Sequence, residues 1–423
     1  MADEARWERP EVLRLIGAGL GLAVGLTVVL STITSAHADG LHLFPVAASK
    51  HLVDLQVYRM GGLDLLHRRD PYRSLLPGSG LPYTYTPFST VMLAPIAVVP
   101  WRVARTLHTM VSILALFTSV VLVGRELGGP GFPPRRLIGL SSLATLAFFW
   151  SEPVLQTLGY GQIDLVLMAM VLIDLLALRR TRWAGVLIGV ATGIKLTPMV
   201  FVAYLLVLRR YRPAVTALCT AAATVVLGWI LLPGPSHRYF TDLLWDPNRV
   251  GRPAWVGNQS LSGLWTRAAG SYEAGHPYWL VSAAAVFVVG LWAAGRTNRR
   301  VGEPYGLAVC ALTGVLISPI SWSHHWVWWV VPALCLAAAA YRRRSWALWV
   351  LLVAVSIPFY VGPFWHIDRH NWETKPVGWQ QPISDTYVLI GLAALLALTT
   401  WLIRSHRGAA ALSPPRSARS PGR

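Results

Sequence analysis

Apolar runs recur along most of this chain, and short arginine clusters divide them: "GRELGGPGFPPRR" at 124–136, "RRTR" at 179–182, "RRYR" at 209–212, "GRTNRR" at 295–300 and "YRRR" at 341–344. The runs fall at roughly 13–35, 104–123, 137–150, 162–178, 184–208, 213–232, 276–294, 304–320, 323–340, 346–362 and 385–403. With 54% of 423 residues hydrophobic and only 13% charged, the chain has too little polar surface for a water-soluble fold. In lipid the backbone must satisfy itself, so a pattern of this kind predicts an all-α polytopic membrane protein, with about ten to twelve transmembrane helices.

The charges set orientation. Short, basic connections belong in the cytoplasm; the stretches 36–100, 151–161, 233–275, 321–323 and 363–384 then lie outside. The net charge of +18 is spread over these turns rather than gathered on one face, which argues against nucleic acid as a partner. The run at 13–35 is followed by "SAHADG", similar to a signal-peptide cleavage site, but it exceeds the usual signal core of about 7–15 residues and reads as a retained anchor. Residues 1–403 form one transmembrane domain, and the Ser-, Pro- and Arg-enriched tail 404–423 reads as disordered and cytoplasmic.

Residues 184–208, "AGVLIGVATGIKLTPMVFVAYLLVL", have arginine clusters on both sides, so both ends belong on one side of the membrane. A broken hairpin meets that requirement. Pro198 removes a backbone donor and Gly193 weakens the helix, giving two half-helices that meet near Lys195 and Thr197. The other solution is two short full spans with a brief turn. Irregular backbone at membrane depth lines a cavity or is buried in protein.

Several functional classes lack their essential parts. Cys219, Cys310 and Cys335 all lie inside apolar runs, without the spacing of a disulfide framework or zinc site. No Walker sequence and no strand-to-helix GxGxxG is present, so a nucleotide-driven pump or a nucleotide-sugar enzyme is disfavoured. No Asp/Glu cluster suggests a metal, and no cofactor is expected.

The remaining polar motifs gather on the outer side. In "SKHLVDLQVYRMGGLDLLHRRDPY" a helix from Lys50 to about Leu66 lies at the interface and puts Lys50, Asp54 and Tyr58 on one face. Asp54 is either half of a surface pair with Lys50 or a carboxylate placed to take a proton from an alcohol. "SWSHHW" brings Trp322, His324 and His325 to a helix junction; adjacent histidines do not form an i, i+4 metal pair, but they can donate to a phosphate or simply anchor a span end. Lys195, inside an apolar segment, either meets a substrate phosphate or pairs with Asp164 of "GYGQID", where Gln162 also stands. Asn258 and Gln259 of "GNQSLSG" suit sugar hydroxyls, and also suit an ordinary loop. Outer tryptophans such as Trp255 and Trp322 can stack on pyranose rings or form an interface belt.

Taken in order, "DLQVYRMGGLDLLHRRDPY", "YTYTPFSTVMLAPIAVVP", "GYGQIDLVLMAMVLIDLLAL", "AGVLIGVATGIKLTP", "GNQSLSGL" and "ISPISWSHHWVW" resemble the actinobacterial polyprenol-phosphate-mannose-dependent α-1,2-mannosyltransferases, membrane-embedded enzymes of the GT-C class. The resemblance covers about residues 50–330. It implies a GT-C fold with its catalytic aspartate in the first extracytoplasmic loop, at Asp54. It also implies a polyprenyl-phosphate-mannose donor, a mannosylated phosphatidylinositol or lipomannan acceptor, and a site on the outer face of the plasma membrane. His324, His325, Lys195 and Arg59 are then candidates to stabilise the departing phosphate, with Tyr58, Gln162, Asn258, Gln259 and Trp322 as further substrate contacts. Asp164 departs from the family, which often carries Asn there. A transferase using another polyprenyl-phosphate sugar, such as arabinose, and a lipid or solute transporter with a broken helix remain the alternatives.

Overall fold

The computed structural model describes residues 9–38, 52–367 and 378–411. Among them regular structure is helical, and the only β pairing is two isolated bridges, Leu75 with Pro82 and Asn258 with Trp322. Lys50, Asp39 and Gly40 at the end of the cleavage-like motif, and the tail beyond 411 lie outside the described residues.

Helix α1 (Arg9–Ala38) packs on α5 (Trp101–Gly128) and α6 (Pro134–Phe149). Between α1 and α5 come α2 (Val53–Leu66), α3 (Pro87–Leu93) and α4 (Pro95–Val98). Helix α6 bends by 74° into α7 (Glu152–Tyr160), where Pro153 in the first turn of α7 cannot continue the preceding helix's hydrogen bonding. Then come α8 (Asp164–Leu172), continued by a π-helical turn (Ile173–Ala177), α9 (Val186–Ile194), α10 (Val200–Val207), α11 (Tyr211–Leu231) and α12 (Pro233–Thr241). The chain finishes with α13 (Leu261–Ala269), α14 (Tyr272–Val301), α15 (Glu303–Ile317), a 3-10 segment (Ser323–Trp329), α16 (Val330–Arg342), α17 (Trp346–Val361), α18 (Gln380–Ser384) and α19 (Thr386–Ala411).

Five single helices among the described residues, α1, α5, α11, α14 and α19, have the length and apolarity to cross a membrane, and the bent pair α6–α7 makes a sixth. This is a multi-pass membrane protein. The other apolar runs of the sequence are shorter or interrupted helices, so uninterrupted spans are fewer than the runs suggested. The interruptions fall where the polar chemistry is.

The segment 184–208 shows how. Helix α9 ends at Ile194, Lys195 is extended at φ −143° and ψ 129°, and a 3-10 turn at Thr197–Met199 leads into α10. Gly185 lies against Pro213, Gly189 against Ala217 and Thr220, and Gly193 against Thr224, so α9 runs parallel to α11. Since α10 must return to the start of α11 within a few residues, α9 and α10 form the hairpin the flanking arginines required. The break opposes Thr224, about 10 Å short of the end of α11. Asp174 holds the other end, its carboxylate accepting the N–H groups of Gly185 at 2.6 Å and Ile188 at 3.0 Å.

The break leaves carbonyls without helical donors. Ile194 would bond the residue four further on, but that residue is Pro198, which has no N–H. The buried Thr86 supplies the substitute: its hydroxyl donates to the Gly193 carbonyl and, at 3.4 Å, lies toward that of Ile194. The same oxygen accepts the Ser89 N–H at 3.2 Å, capping α3. The first polar loop is thereby fastened to the broken helix.

At the other end of the bundle the arginine clusters are tied together. Arg179 pairs with Glu126 at 2.9 Å, Arg210 with Glu303, and Arg342 donates to the Leu127 carbonyl at 2.7 Å. A fully buried pair, Arg267 with Asp385, joins α13 to the start of α19.

Replacing Thr86 by Val keeps the shape but removes a donor and a cap. Thr86→Val is expected to cost about 1–3 kcal/mol, and Thr86→Ser to restore most of it, as read by thermal unfolding of the purified protein in detergent. Equal melting temperatures for wild type and Thr86→Val would show that the break does not need this hydroxyl.

Candidate active site

The motifs at Asp54, "YTYTP", "GYGQID", "GIKLTP" and "SWSHHW" line one cavity of about 1160 Å³. The first element that shapes it is the turn between α7 and α8. Gly161 there has φ +71°, a left-handed conformation that suits glycine, and a Cβ on it would lie 2.7 Å from Leu55 Cβ. This close approach lets α2 dock, and the Leu52 N–H donates to the Gly159 carbonyl at 3.0 Å. The first turn of α2, with Asp54, is set beside Gln162.

Gln162 then links two sides of the cavity. Its Nε2 donates to Asp54 Oδ2 at 2.8 Å, and its Oε1 lies 2.8 Å from Tyr58 Oη and 2.7 Å from Tyr85 Oη. Asp54 and Tyr58 share a face of α2, as their spacing of four requires, and both meet the same glutamine. The helix begins at Val53 rather than at Lys50. Burial, and then the neighbouring phenol and carboxylate of Asp54, raise the Tyr58 pKa well above the ordinary phenol range. Burial and the carboxylates of Asp164 and Asp54 do the same for Tyr85. Both phenols stay protonated.

Lys195 reaches the cavity through the helix break. Its Nζ donates to Asp164 Oδ1 at 2.7 Å and lies 2.9 Å from His325 Nε2. An ammonium has only protons to offer, so His325 Nε2 accepts and the ring is neutral with its proton on Nδ1. His325 therefore orients Lys195 rather than presenting Nε2–H to a phosphate. Two of the three ammonium protons are used within the protein, and the Nζ stands 5.7 Å from the centroid of the Tyr85 ring. The cation thus lies near the Tyr85 ring, and the acid is linked to the Tyr85 hydroxyl through Gln162.

The nearby donors bear on metal binding. Asp164, His324 and His325 offer ligand atoms all within 4.8 Å of one another, a grouping the sequence did not disclose. His324 Nε2 is 3.8 Å from Asp164 Oδ2, an oxygen with no hydrogen bond among the described residues. These atoms suit a divalent cation by type. The Lys195 ammonium already bridges Asp164 and His325, however, and places a positive charge against two of the three.

Three expected substrate contacts are placed elsewhere. Arg59 turns away from the cavity and donates to the carbonyls of Ile96 at 3.2 Å and Val99 at 2.7 Å, closing the end of α4. Asn258 is fully buried, its Oδ1 taken by the Ser321 N–H and the Ser260 hydroxyl, both at 2.9 Å, and its Nδ2 by the Pro253 carbonyl at 3.0 Å. Gln259 donates to the carbonyls of Val256 at 2.7 Å and Ser384 at 2.6 Å and accepts the Tyr387 N–H at 3.1 Å. Both amides fasten the loop that carries Trp255, whose ring meets Trp322 edge-on at 5.3 Å. Those two tryptophans do line the cavity, as do His324 and His325.

The site also holds residues the sequence did not single out. His276 and Trp279 reach it from the first turns of α14, and Arg249 closes it from beyond α12, donating to the carbonyls of Tyr83 and Thr84, each at 2.9 Å. Their separation in sequence from the other motifs hid them; the aromatic enrichment at 272–279 was the available signal. Beside the cavity lies an apolar groove of about 270 Å³ between the broken helix and α11, lined by Gly193, Leu196, Leu218, Ala221 and Ala222. Thr86 and Leu196 line both spaces.

A multi-pass helical bundle that holds a carboxylate, an ammonium and an aromatic wall around one large cavity has the parts of a membrane-embedded transferase. The chain belongs to glycosyltransferase family 87, whose model matches residues 83–319. It is 32% identical over 363 residues, 81% of this chain and 83% of the relative, to the polyprenol-phosphate-mannose-dependent α-(1-2)-phosphatidylinositol mannoside mannosyltransferase of Mycobacterium tuberculosis. It is also 32% identical over 387 residues, 87% of this chain and 88% of the relative, to the polyprenol-phosphate-mannose-dependent α-(1-2)-phosphatidylinositol pentamannoside mannosyltransferase of Mycolicibacterium smegmatis. No solved structure matches the chain.

Because Gly161 sets the position of Asp54, Gly161→Ala carries two costs, a left-handed backbone worth about 1–2 kcal/mol and a collision with Leu55. The expected outcome is at least a tenfold loss of transfer rate with a smaller fall in melting temperature. Unchanged kinetics would show that Asp54 is held in place by other contacts.

Proposed function

We propose that this protein transfers mannose, with inversion, from a polyprenyl-phosphate-mannose donor to a mannosylated phosphatidylinositol or lipomannan acceptor, forming an α-1,2 linkage. The observation that carries the reading is that Asp54 and Lys195 face one cavity, while an apolar groove lies beside it at the Lys195 break. Membership of family 87 and the names of the relatives above supply the sugar and the lipids. The arginine-rich turns lie at the end of the bundle away from the cavity. By the positive-inside rule this favours a site on the extracytoplasmic face of the plasma membrane.

The chemistry follows from charge. Asp54 accepts the proton of an acceptor mannose hydroxyl as its oxygen bonds to the anomeric carbon of the donor. The bond from that carbon to the phosphate oxygen breaks on the opposite face, and its electron pair leaves with the phosphate. Negative charge grows on that oxygen in the transition state, and a fixed ammonium held in a partly desolvated site stabilises it strongly. Asp164 and His325 keep Lys195 extended and aimed. Trp255, Trp322 and Trp279 offer flat apolar faces to the sugar rings. Arg59, Asn258 and Gln259 shape the walls and have no part in substrate contact.

The groove between the broken helix and α11 then takes the isoprenoid chain, since its opening adjoins the residue that meets the phosphate. Ala222 is exposed on that wall, so enlarging it does not disturb the core. Ala222→Trp should raise KM at least fivefold for a long-chain donor while leaving a donor with a two-isoprene chain nearly unchanged. Equal effects on both donors would remove the groove from donor binding.

The reading itself is tested with purified protein in membranes, given polyprenyl-phospho-mannose and a mannosylated phosphatidylinositol, with product followed by mass. Wild type should add one hexose. Asp54→Asn, which preserves size, should fall by about 10²–10⁴-fold while keeping the melting temperature. Transfer by both proteins alike would displace Asp54 from its role, and use of a polyprenyl-phospho-pentose instead would replace the sugar assignment.

A further inference from the structure

A general base works only if its carboxylate is held in one orientation, and here the means of holding it is visible. Gln162 is 5% exposed, and Tyr58 is fully buried. Three oxygens, those of Tyr58, Tyr85 and the Gln162 amide, form a closed triangle with edges of 2.8, 2.8 and 2.7 Å. Two phenol protons serve these three contacts, so in every arrangement the amide oxygen receives at least one of them. The amide nitrogen is thereby directed at Asp54 Oδ2, 2.8 Å away. The reversed amide would set its oxygen against an ionised carboxylate at that distance, with no proton between them.

We propose that Tyr58, Tyr85 and Gln162 form a positioning device that fixes the amide of Gln162 and, through it, the plane of the Asp54 carboxylate. This rests on the reading of Asp54 as the base and goes beyond it, because it moves Tyr58 and Gln162 from substrate contact to support and adds Tyr85. The device draws on three separate parts of the chain. Tyr58 stands one helical turn after Asp54 on α2, Tyr85 belongs to the loop that Thr86 fastens to the helix break, and Gln162 follows the Gly161 turn. The arrangement also has redundancy: either phenol alone can supply the proton that orients the amide.

Redundancy gives the proposal its signature. Tyr58→Phe and Tyr85→Phe should each lower kcat less than about fivefold, since one phenol still holds the amide. The double variant should lose at least 50-fold in kcat, more than the product of the single losses, with KM for donor and acceptor changed less than threefold. Gln162→Glu provides a second readout. It puts another carboxylate beside Asp54, where the pair shares a proton more readily, so the acid limb of the kcat profile should move to higher pH by about one unit. The other ionisable groups around this pair, Tyr58, Tyr85, Asp164, Lys195 and His108 of α5, whose Nε2 lies 3.3 Å from the Gln162 carbonyl oxygen, are the same in wild type and in this variant.

If the three residues merely pack α2 onto the α7–α8 turn, the two phenylalanine substitutions will lower the melting temperature and act independently on kcat. Gln162→Glu will then leave the acid limb where it was. Either result overturns the proposal. Asp54→Asn is measured alongside: full activity in that variant removes the base and the positioning device together. An inactive Asp54→Asn with independent single Phe effects removes the device alone.

Discussion

A helix that stops at membrane depth exposes carbonyls that lipid cannot satisfy, and the chain's arrangement around Lys195 answers that constraint. Pro198 denies Ile194 its helical partner, and Thr86 from a distant loop donates to the neighbouring Gly193 carbonyl and lies toward that of Ile194. That one hydroxyl also caps α3. The break and the first polar loop are therefore folded as a unit, and Tyr85, one residue before Thr86, is delivered to the site by the same contact. Lys195 emerges where the backbone is extended, with its ammonium already paired. Backbone satisfaction and the placing of side chains in the cavity are met by one set of atoms.

The electrostatics of the cavity follow from that placement. Lys195 is surrounded by Asp164 and a neutral His325, so the charge is balanced before any substrate enters. An uncompensated buried ammonium would be costly, and removing one member of such a pair typically costs about 3–5 kcal/mol. Asp164 thus makes Lys195 tolerable in the free protein while leaving it at the wall of the cavity. The trio of Asp164, His324 and His325 has the composition of a metal site, yet the Lys195 ammonium already meets two of its members. Asp54 is held by the amide of Gln162, which donates to its Oδ2 at 2.8 Å.

Much of this was readable in the residues. The alternation of apolar runs with arginines gave a helical membrane protein, and two arginine clusters flanking one apolar segment demanded a hairpin, broken where Gly193 and Pro198 stand. The spacing of Asp54 and Tyr58 gave a shared helix face. What the residues could not disclose was partner choice. Arg59 is one position from Tyr58 and looks equally suited to an anion, but the exposed carbonyls at the end of α4 claim it. Asn258 and Gln259 have the donors a sugar wants, and loop closure uses every one of them. The roles of Tyr85 and Thr86 depend on segments more than seventy residues away, a separation that local pattern does not encode.

The buried pair of Arg267 and Asp385 spans 118 positions of sequence. Arg267 also donates to the carbonyls of Trp255 and Asn258, in the loop that forms one wall of the cavity. During synthesis that wall is made long before its counter-ion exists, and an unpaired guanidinium is poorly tolerated in an apolar interior. The wall can settle only after the last span has been inserted. Completion of the cavity is thereby tied to synthesis of the segment that carries Asp385, so a protein shortened before that residue would carry its earlier membrane helices without a finished binding site.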